Sequence, residues 1–161
     1  MRTAAAGLVT VIGLIAAPGA AAETPAWNGR YRLIGYANQK GGTSVAARQK
    51  EQPFSAEYDV YTSCSGSRCV ATLTNGPPPT NPTLPQQLRY AWDGKQWTSV
   101  VDWQWECFLG EGKPVQYAPA TSWTFYVPQP DGTLAGRWHT DIASGPCRGS
   151  VIMPMAAMPV G

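Results

Sequence analysis

The chain has little charge: 12 Lys and Arg and 10 Asp and Glu in 161 residues, or 14%, with a formal net charge of +2. No basic cluster stands out. This excludes the electrostatic footprint of a nucleic-acid-binding protein and of one held on anionic membranes. There is a single histidine, His139. A serine or cysteine nucleophile would need it as base, and a zinc site would have to combine it with cysteines that show no C-x2-C spacing. Neither chemistry is supported, and no metal and no cofactor is expected. The G-x-S-x-G elbow of hydrolases is missing, as are the glycine-rich phosphate loop and HRD motif of kinases. The one long apolar run, Ala4–Ala17, falls short of the ~20 residues that a spanning helix needs.

That run reads instead as the centre of a secretory signal peptide over Met1–Ala22, with Arg2 ahead of it and an A-x-A cleavage site at Ala20 and Ala22. The expectation is an exported single domain, Glu23–Gly161, with no stable membrane anchor after cleavage. It would be secreted or held in the cell envelope.

Aromatic residues and cysteines are plentiful by contrast. Seven tryptophans and seven tyrosines are too many for a disordered segment. The four cysteines, Cys64, Cys69, Cys107 and Cys147, fall in an exported chain where disulfides form. Four cysteines allow three pairings. Cys64 and Cys69 flank the turn Ser-Gly-Ser-Arg between two strand-like runs, which brings opposed Cβ atoms within bridging reach. Cys107 and Cys147 then pair, closing a loop of about 40 residues worth about 4 kcal/mol in the chain-entropy model.

Strand signals run through the whole chain. Gln96–Cys107 alternates Trp97, Ser99, Val101, Trp103, Trp105 and Cys107 with a mostly polar set, the pattern of a half-buried antiparallel strand. It follows Asp93-Gly94, a hairpin signal, and a second Asp-Gly turn at Asp131-Gly132 joins Thr121–Val127 to Leu134–Asp141. Further strands are expected at Trp27–Asn38, Phe54–Ser63, Cys69–Thr74, Leu88–Trp92 and Gly149–Met153. The polar stretch Gln39–Pro53 is expected to be a mobile loop with at most one helical turn near Val45–Lys50. Asn75–Pro85, with five prolines, should be a stiff irregular connection. Phe108–Ala120 reads as a loop, and the tail from Pro154 should fray. The fold class is all-β: an antiparallel up-and-down meander of about eight strands, disulfide-stapled, forming a small barrel or sandwich. Closure removes exposed edges and favours the barrel.

The runs SCSGSRCVAT at Ser63–Thr72, YAWDGKQW at Tyr90–Trp97, SWTFYVPQPDGTLAGRW at Ser122–Trp138 and the closing CRGSVIMPM carry a family likeness. This chain resembles the extracytoplasmic C-terminal domain of some mycobacterial receptor-type serine/threonine protein kinases, and small stand-alone secreted mycobacterial proteins, from about Phe54 to the C-terminus. The resemblance implies a sensor-like or binding domain without established chemistry and supplies no catalytic residues.

The function expected is therefore a non-enzymatic β domain that binds an envelope or extracellular ligand or protein. Its candidate binding residues are Trp97, Trp103, Trp105, Trp123 and Trp138. These five either fill the interior of the barrel, the reading preferred for so small a barrel, or line a cavity for an apolar ligand or a platform for a glycan. Trp103 should lie deepest. The remaining alternative is a small secreted hydrolase. It would have to rest on His139, beside Arg137 and Asp141 on a polar strand face, or on the carboxylate pairs Asp102 with Glu106 and Glu57 with Asp59, all of which read as solvent-facing charge.

Overall fold

The computed structural model describes residues 25–161, so the leader expected over Met1–Ala22 lies outside the described residues. Eight strands run in sequence: β1 Gly29–Gly35, β2 Phe54–Ser65, β3 Arg68–Thr74, β4 Leu88–Trp92, β5 Trp97–Cys107, β6 Gln116–Pro128, β7 Leu134–Ile142 and β8 Gly149–Pro159. Each pairs antiparallel with the next, and β8 pairs with β1, so the sheet closes into an up-and-down barrel. The closed order gives every strand a neighbour on each side, the advantage that favoured a barrel over a sandwich, although the β4–β5 ladder is short.

Local chemistry sets the hairpins. The Asp93 carboxylate accepts from the N–H groups of Lys95 and Gln96, each at 2.9 Å, while Gly94 takes φ +102° in the left-handed region. Those backbone donors hold the Asp93 pKa below the usual carboxylate range. Asp131 does the same for the β6–β7 turn, accepting from the Thr133 N–H at 3.0 Å. Cys64–Cys69 bridges β2 and β3, and Cys107–Cys147 ties the end of β5 to the β7–β8 connection. Both pairings are those expected from the spacing.

Two boundaries differ from the sequence reading. β6 begins at Gln116, inside the expected loop Phe108–Ala120, and pairs along the full length of β5. β8 continues through the expected fraying tail to Pro159 and closes the barrel, with Tyr31 opposite Pro159 and Gly35 opposite Met155. Proline is tolerated there for a geometric reason. In an antiparallel ladder the N–H and C=O of one residue face the same neighbour. The Pro154 carbonyl accepts from the Tyr36 N–H at 3.0 Å, beyond the end of β1, so its missing donor leaves the ladder with β7 intact.

The stretch Gln39–Pro53 is docked rather than loose. Gly41 exchanges both backbone hydrogen bonds with Ile152 of β8, at 2.9 and 2.8 Å. Ser44 is fully buried: its Oγ donates to the Cys147 carbonyl at 2.6 Å and accepts from the Ala46 N–H, capping the 3₁₀ turn Val45–Arg48. Ala46 and Ala47 of that turn pack against the buried Cys107–Cys147 bridge, plugging one end of the barrel.

The other end is filled by aromatic rings. Trp27, just before β1, meets Tyr90, Trp97 and Tyr126 with ring centroids 5.2 to 6.1 Å apart. Tyr126 reaches this position because its cross-strand partner is Gly136; a Cβ there would lie 2.7 Å from the tyrosine ring. The interior is thus packed at both ends by two separate clusters, with Trp103, Trp105 and Trp138 beside the second.

Candidate ligand cavity

Between the two plugs the barrel wall opens into a cavity. A cavity of ≈ 720 Å³ lies within the range of small-molecule sites. Its inner wall comes from alternate residues of β5, β7 and β8: Val101, Trp103 and Trp105, then Trp138, then Met153 and Met155. The strand period of two brings these side chains to one face. Trp103 and Trp105 lie 5.5 Å apart, and Trp105 stacks on Trp138 at 6.0 Å and 28°. A few polar groups interrupt the apolar wall. Trp103 Nε1 donates to Ser122 Oγ at 2.8 Å, and Ser122 in turn shares a hydrogen bond with Thr140. Tyr58 and Tyr90 also line it, and burial raises both phenol pKa values further above neutrality.

The opening arises from unequal strand lengths. β4 has 5 residues and β5 has 11, and their ladder contains only Ala91 with Thr98 and Trp92 with Trp97. Beyond Thr98, β5 has no strand neighbour on that side, and the proline-rich segment takes the place of one. Asn81 Nδ2 donates to the Gln104 carbonyl at 2.8 Å, the Gln104 N–H donates to Thr83 Oγ1 at 3.0 Å, and Asn81 Oδ1 accepts from the Thr83 N–H. Proline lacks the donors to build a regular strand there, so side chains supply the pairing. Pro77, Pro78 and Leu84 border the cavity on this side, with Lys40, Gln49 and Glu51 of the β1–β2 connection opposite. Gln39–Pro53, expected to be a mobile loop, and Asn75–Pro85, expected to be a stiff connection, border the mouth.

The five candidate tryptophans separate into three groups. Trp97 is 0% exposed and belongs to the aromatic plug, so Trp97 and not Trp103 lies deepest. Trp103, Trp105 and Trp138 line the cavity. Trp123 is turned outward: it alternates with the buried Ser122 and sits between Val100 and His139 on the outer surface, meeting His139 edge-on at 5.6 Å. It contributes to a shallow external groove of ≈ 540 Å³ with Asp102, Thr121 and Asp141. The ends of the barrel are filled by the two clusters, and a cavity lies between them beside Trp103, Trp105 and Trp138. Alternation identified the faces correctly, but it could not show that short β4 leaves the wall incomplete. Trp27 falls at the start of the expected strand Trp27–Asn38, but it precedes β1 and is a large core residue that was not among the candidates.

Most polar candidates are on the outside, whereas Glu106, exposed on β5, also borders the cavity. His139 Nε2 lies 2.8 Å from Asp141 Oδ1, with side chains 35% and 57% exposed. Asp102 accepts from Thr121 Oγ1 at 2.6 Å. Glu57 and Asp59 face Arg30, and Glu57 also meets Arg32 Nη2 at 2.7 Å. The arginine hydrogen bonds, that from Arg32 foremost, keep the Glu57 pKa low, and a hydrogen bond from Asn75 leads the causes that lower Asp59. The cysteines are all consumed in disulfides. Among the described residues no cluster of His, Cys, Asp and Glu could hold a metal ion, and no helix is long and apolar enough to cross a membrane.

Residues 24–161 match the family model of the PknI serine/threonine-protein kinase sensor domain. The chain belongs to the PknI sensor-domain family. This family is that of an extracytoplasmic sensor domain of mycobacterial kinases, the resemblance carried by the cysteine turn and the aromatic hairpins. The match begins well before Phe54, so β1 and the docked β1–β2 connection belong to the PknI-type domain as much as the hairpins do. Among solved structures, the barrel is similar to the monomer form of the M. tuberculosis PknI sensor domain, with a TM-score of 0.64 and 17% identity over 86% of this chain and 90% of that one. At that identity the likeness speaks for the fold. Among curated proteins, none matches the chain. Membership in a PknI sensor-domain family fits a sensor-like, non-enzymatic role.

Proposed function

We propose that this protein is an exported, non-enzymatic sensor-type barrel that binds an apolar or amphipathic ligand in its interior cavity. The observation that carries this reading is the ≈ 720 Å³ space walled by Trp103, Trp105, Trp138, Met153 and Met155. Rings and thioethers offer polarizable apolar surface, and methionine adapts to ligands of irregular shape. The rest of the interior is close-packed, so the hollow is local to this wall. Family membership supports the sensor-like part of the reading. Two disulfides support an oxidising, extracytoplasmic setting, and the leader read over Met1–Ala22 supplies the route.

Titration of the disulfide-intact protein with N-phenyl-1-naphthylamine, a neutral apolar fluorophore, tests the proposal. Saturable one-to-one binding with quenching of tryptophan emission is the expected result. Emission that rises only in proportion to probe, with no saturation, would defeat it.

A second reading rests on the external groove. Trp123 offers a ring flanked by the carboxylates of Asp102 and Asp141 and the hydroxyl of Thr121, groups suited to stacking and hydrogen bonding with a glycan. Trp123→Ala separates the two readings, because it would abolish glycan binding and leave the interior probe unaffected.

A further inference from the structure

One ion pair spans the mouth of the cavity. Lys40 Nζ lies 2.6 Å from Glu51 Oε2, and both residues line the opening. The partners differ sharply in environment: the Lys40 side chain is 9% exposed and that of Glu51 is 54% exposed. Their backbones differ too. Lys40 ends the 3₁₀ turn Ala37–Gln39, and its neighbour Gly41 is held to β8 by the reciprocal bonds with Ile152. Glu51 sits in an extended, exposed run leading into β2.

A buried ammonium needs an anion beside it, because an unpaired charge away from water is costly. An exposed carboxylate has no such requirement, since water solvates it. The pair is therefore exchangeable from one side: another anion entering the cavity can take Lys40, and Glu51 can return to solvent. Reversed roles are disfavoured, because the Lys40 side chain is 9% exposed and would be left with its charge unpaired.

We infer that Lys40 is the headgroup receptor of the cavity, that the ligand is amphipathic with an anionic oxygen head and an apolar tail, and that its head displaces Glu51 from Lys40. This rests on the cavity being the ligand site. The tail lies along Trp103, Trp105 and Met153, and a carboxylate or phosphate oxygen sits at the mouth. Because the Lys40–Glu51 bond straps the run ahead of β2 to the barrel, head-group exchange also frees that run. Ligand capture is thereby coupled to a change at the surface of the domain. A neutral ligand would leave the strap closed, and a cationic head would be repelled by Lys40.

Isothermal titration with hexadecanoate, hexadecyl phosphate and hexadecanol against the wild type, Lys40→Met and Glu51→Gln tests the inference. The wild type should bind both anions more tightly than the alcohol. Lys40→Met should weaken the anions by about tenfold or more and leave hexadecanol unchanged, the loss expected for a hydrogen bond to a charged group. Glu51→Gln leaves the Lys40 ammonium without its anion, so its fold is first checked by circular dichroism; where folded, it should tighten the anions by removing their competitor. The stronger of the two anions distinguishes a free fatty acid from a lipid phosphate. If hexadecanol binds and both variants hold the anions within about twofold of wild type, the headgroup assignment is wrong while the cavity reading stands. If none of the three binds the wild type, the cavity reading itself falls, and the inference with it.

Discussion

Trp27 and Tyr126 meet with ring centroids 5.2 Å apart and planes tilted by 56°, although one precedes the first strand and the other lies in the sixth. Their contact is where the closed end of the barrel is sealed. Trp27 is held in place through Thr62: the Trp27 N–H donates to Thr62 Oγ1 at 3.1 Å, and that hydroxyl donates back to the Trp27 carbonyl at 2.8 Å. The chain entering β1 is thus pinned to β2 before the ladder begins.

Replacing Trp27 with alanine should destabilise the domain by about 3–5 kcal/mol, the usual range for a buried large aromatic. Against a total of about 5–15 kcal/mol, much of the protein would unfold on mild heating. Trp123→Ala, on the outer face, should change stability by no more than about 1 kcal/mol. Chemical denaturation of the two variants checks both values, and the reverse order would place the core on the wrong side of β6.

Trp103→Ala should cost less than Trp27→Ala, about 1–3 kcal/mol, because one side of the indole already faces empty space and fewer contacts are lost. The same variant enlarges the cavity, so apolar probe binding should persist with altered affinity. A loss of stability equal to that of Trp27→Ala would mean that the hollow is packed in solution.

The longer disulfide should matter more. In the chain-entropy model the Cys107–Cys147 link, spanning 40 residues, contributes about 4 kcal/mol, and the Cys64–Cys69 link, spanning 5, about 2 kcal/mol. Cys107 and Cys147 are also fully buried beneath the turn Val45–Arg48, so reduction disturbs a packed end of the barrel. Melting of the two double Cys→Ser variants should show the larger drop for the 107/147 pair; equal drops would contradict this.

Alkaline stability follows from two phenols. Burial raises the folded-state pKa of Tyr90 and of Tyr126, in each case chiefly by desolvating the phenolate. A raised folded pKa gives stability that is complete below the unfolded value, about 10, and is lost as pH climbs from there toward the folded value. Each tyrosine then removes about 1.4 kcal/mol per pH unit. Tyrosinate absorbance should show Tyr90 and Tyr126 ionising only together with unfolding. Smooth titration of all the phenols in a folded barrel would refute the sealed aromatic end.

Strand faces and turns were legible because their signals are local. Alternation along Trp97–Cys107 and the Asp93-Gly94 and Asp131-Gly132 turns specify strands and hairpins without reference to the rest of the chain. The disulfides were legible because a four-residue turn leaves Cys64 few partners. Several features depend instead on what lies across the barrel. Pro154 could be read as a strand breaker until its position beyond the end of β1 showed that no donor was needed. Trp27 is in phase with Tyr31 and Leu33, but the turn Trp27-Asn28-Gly29 separates it from the strand, so its place in the core depends on Tyr90, Trp97 and Tyr126 across the barrel. The cavity comes from a mismatch between β4 and β5 that the proline-rich segment spans through Asn81 and Thr83, a relation that no single segment encodes. The same holds for Trp123, whose outward direction follows only from the register of β6 against β5 and β7.

The central claim is that the ligand enters the barrel, and the methionines report on it directly. Met153 and Met155 line the cavity, whereas Met158, 39% exposed on the same strand, faces outward and serves as an internal control. Protein labelled with carbon-13 at the methionine methyls can be titrated with N-phenyl-1-naphthylamine and followed by NMR, with Met153→Leu and Met155→Leu used to assign the signals. The Met153 and Met155 methyl resonances should shift in a saturable manner, with ring-current displacements and contacts to the probe, and that of Met158 should stay in place. Shifts confined to Met158, or saturable binding that leaves Met153 and Met155 unmoved, would put the ligand on the outer surface and contradict the account.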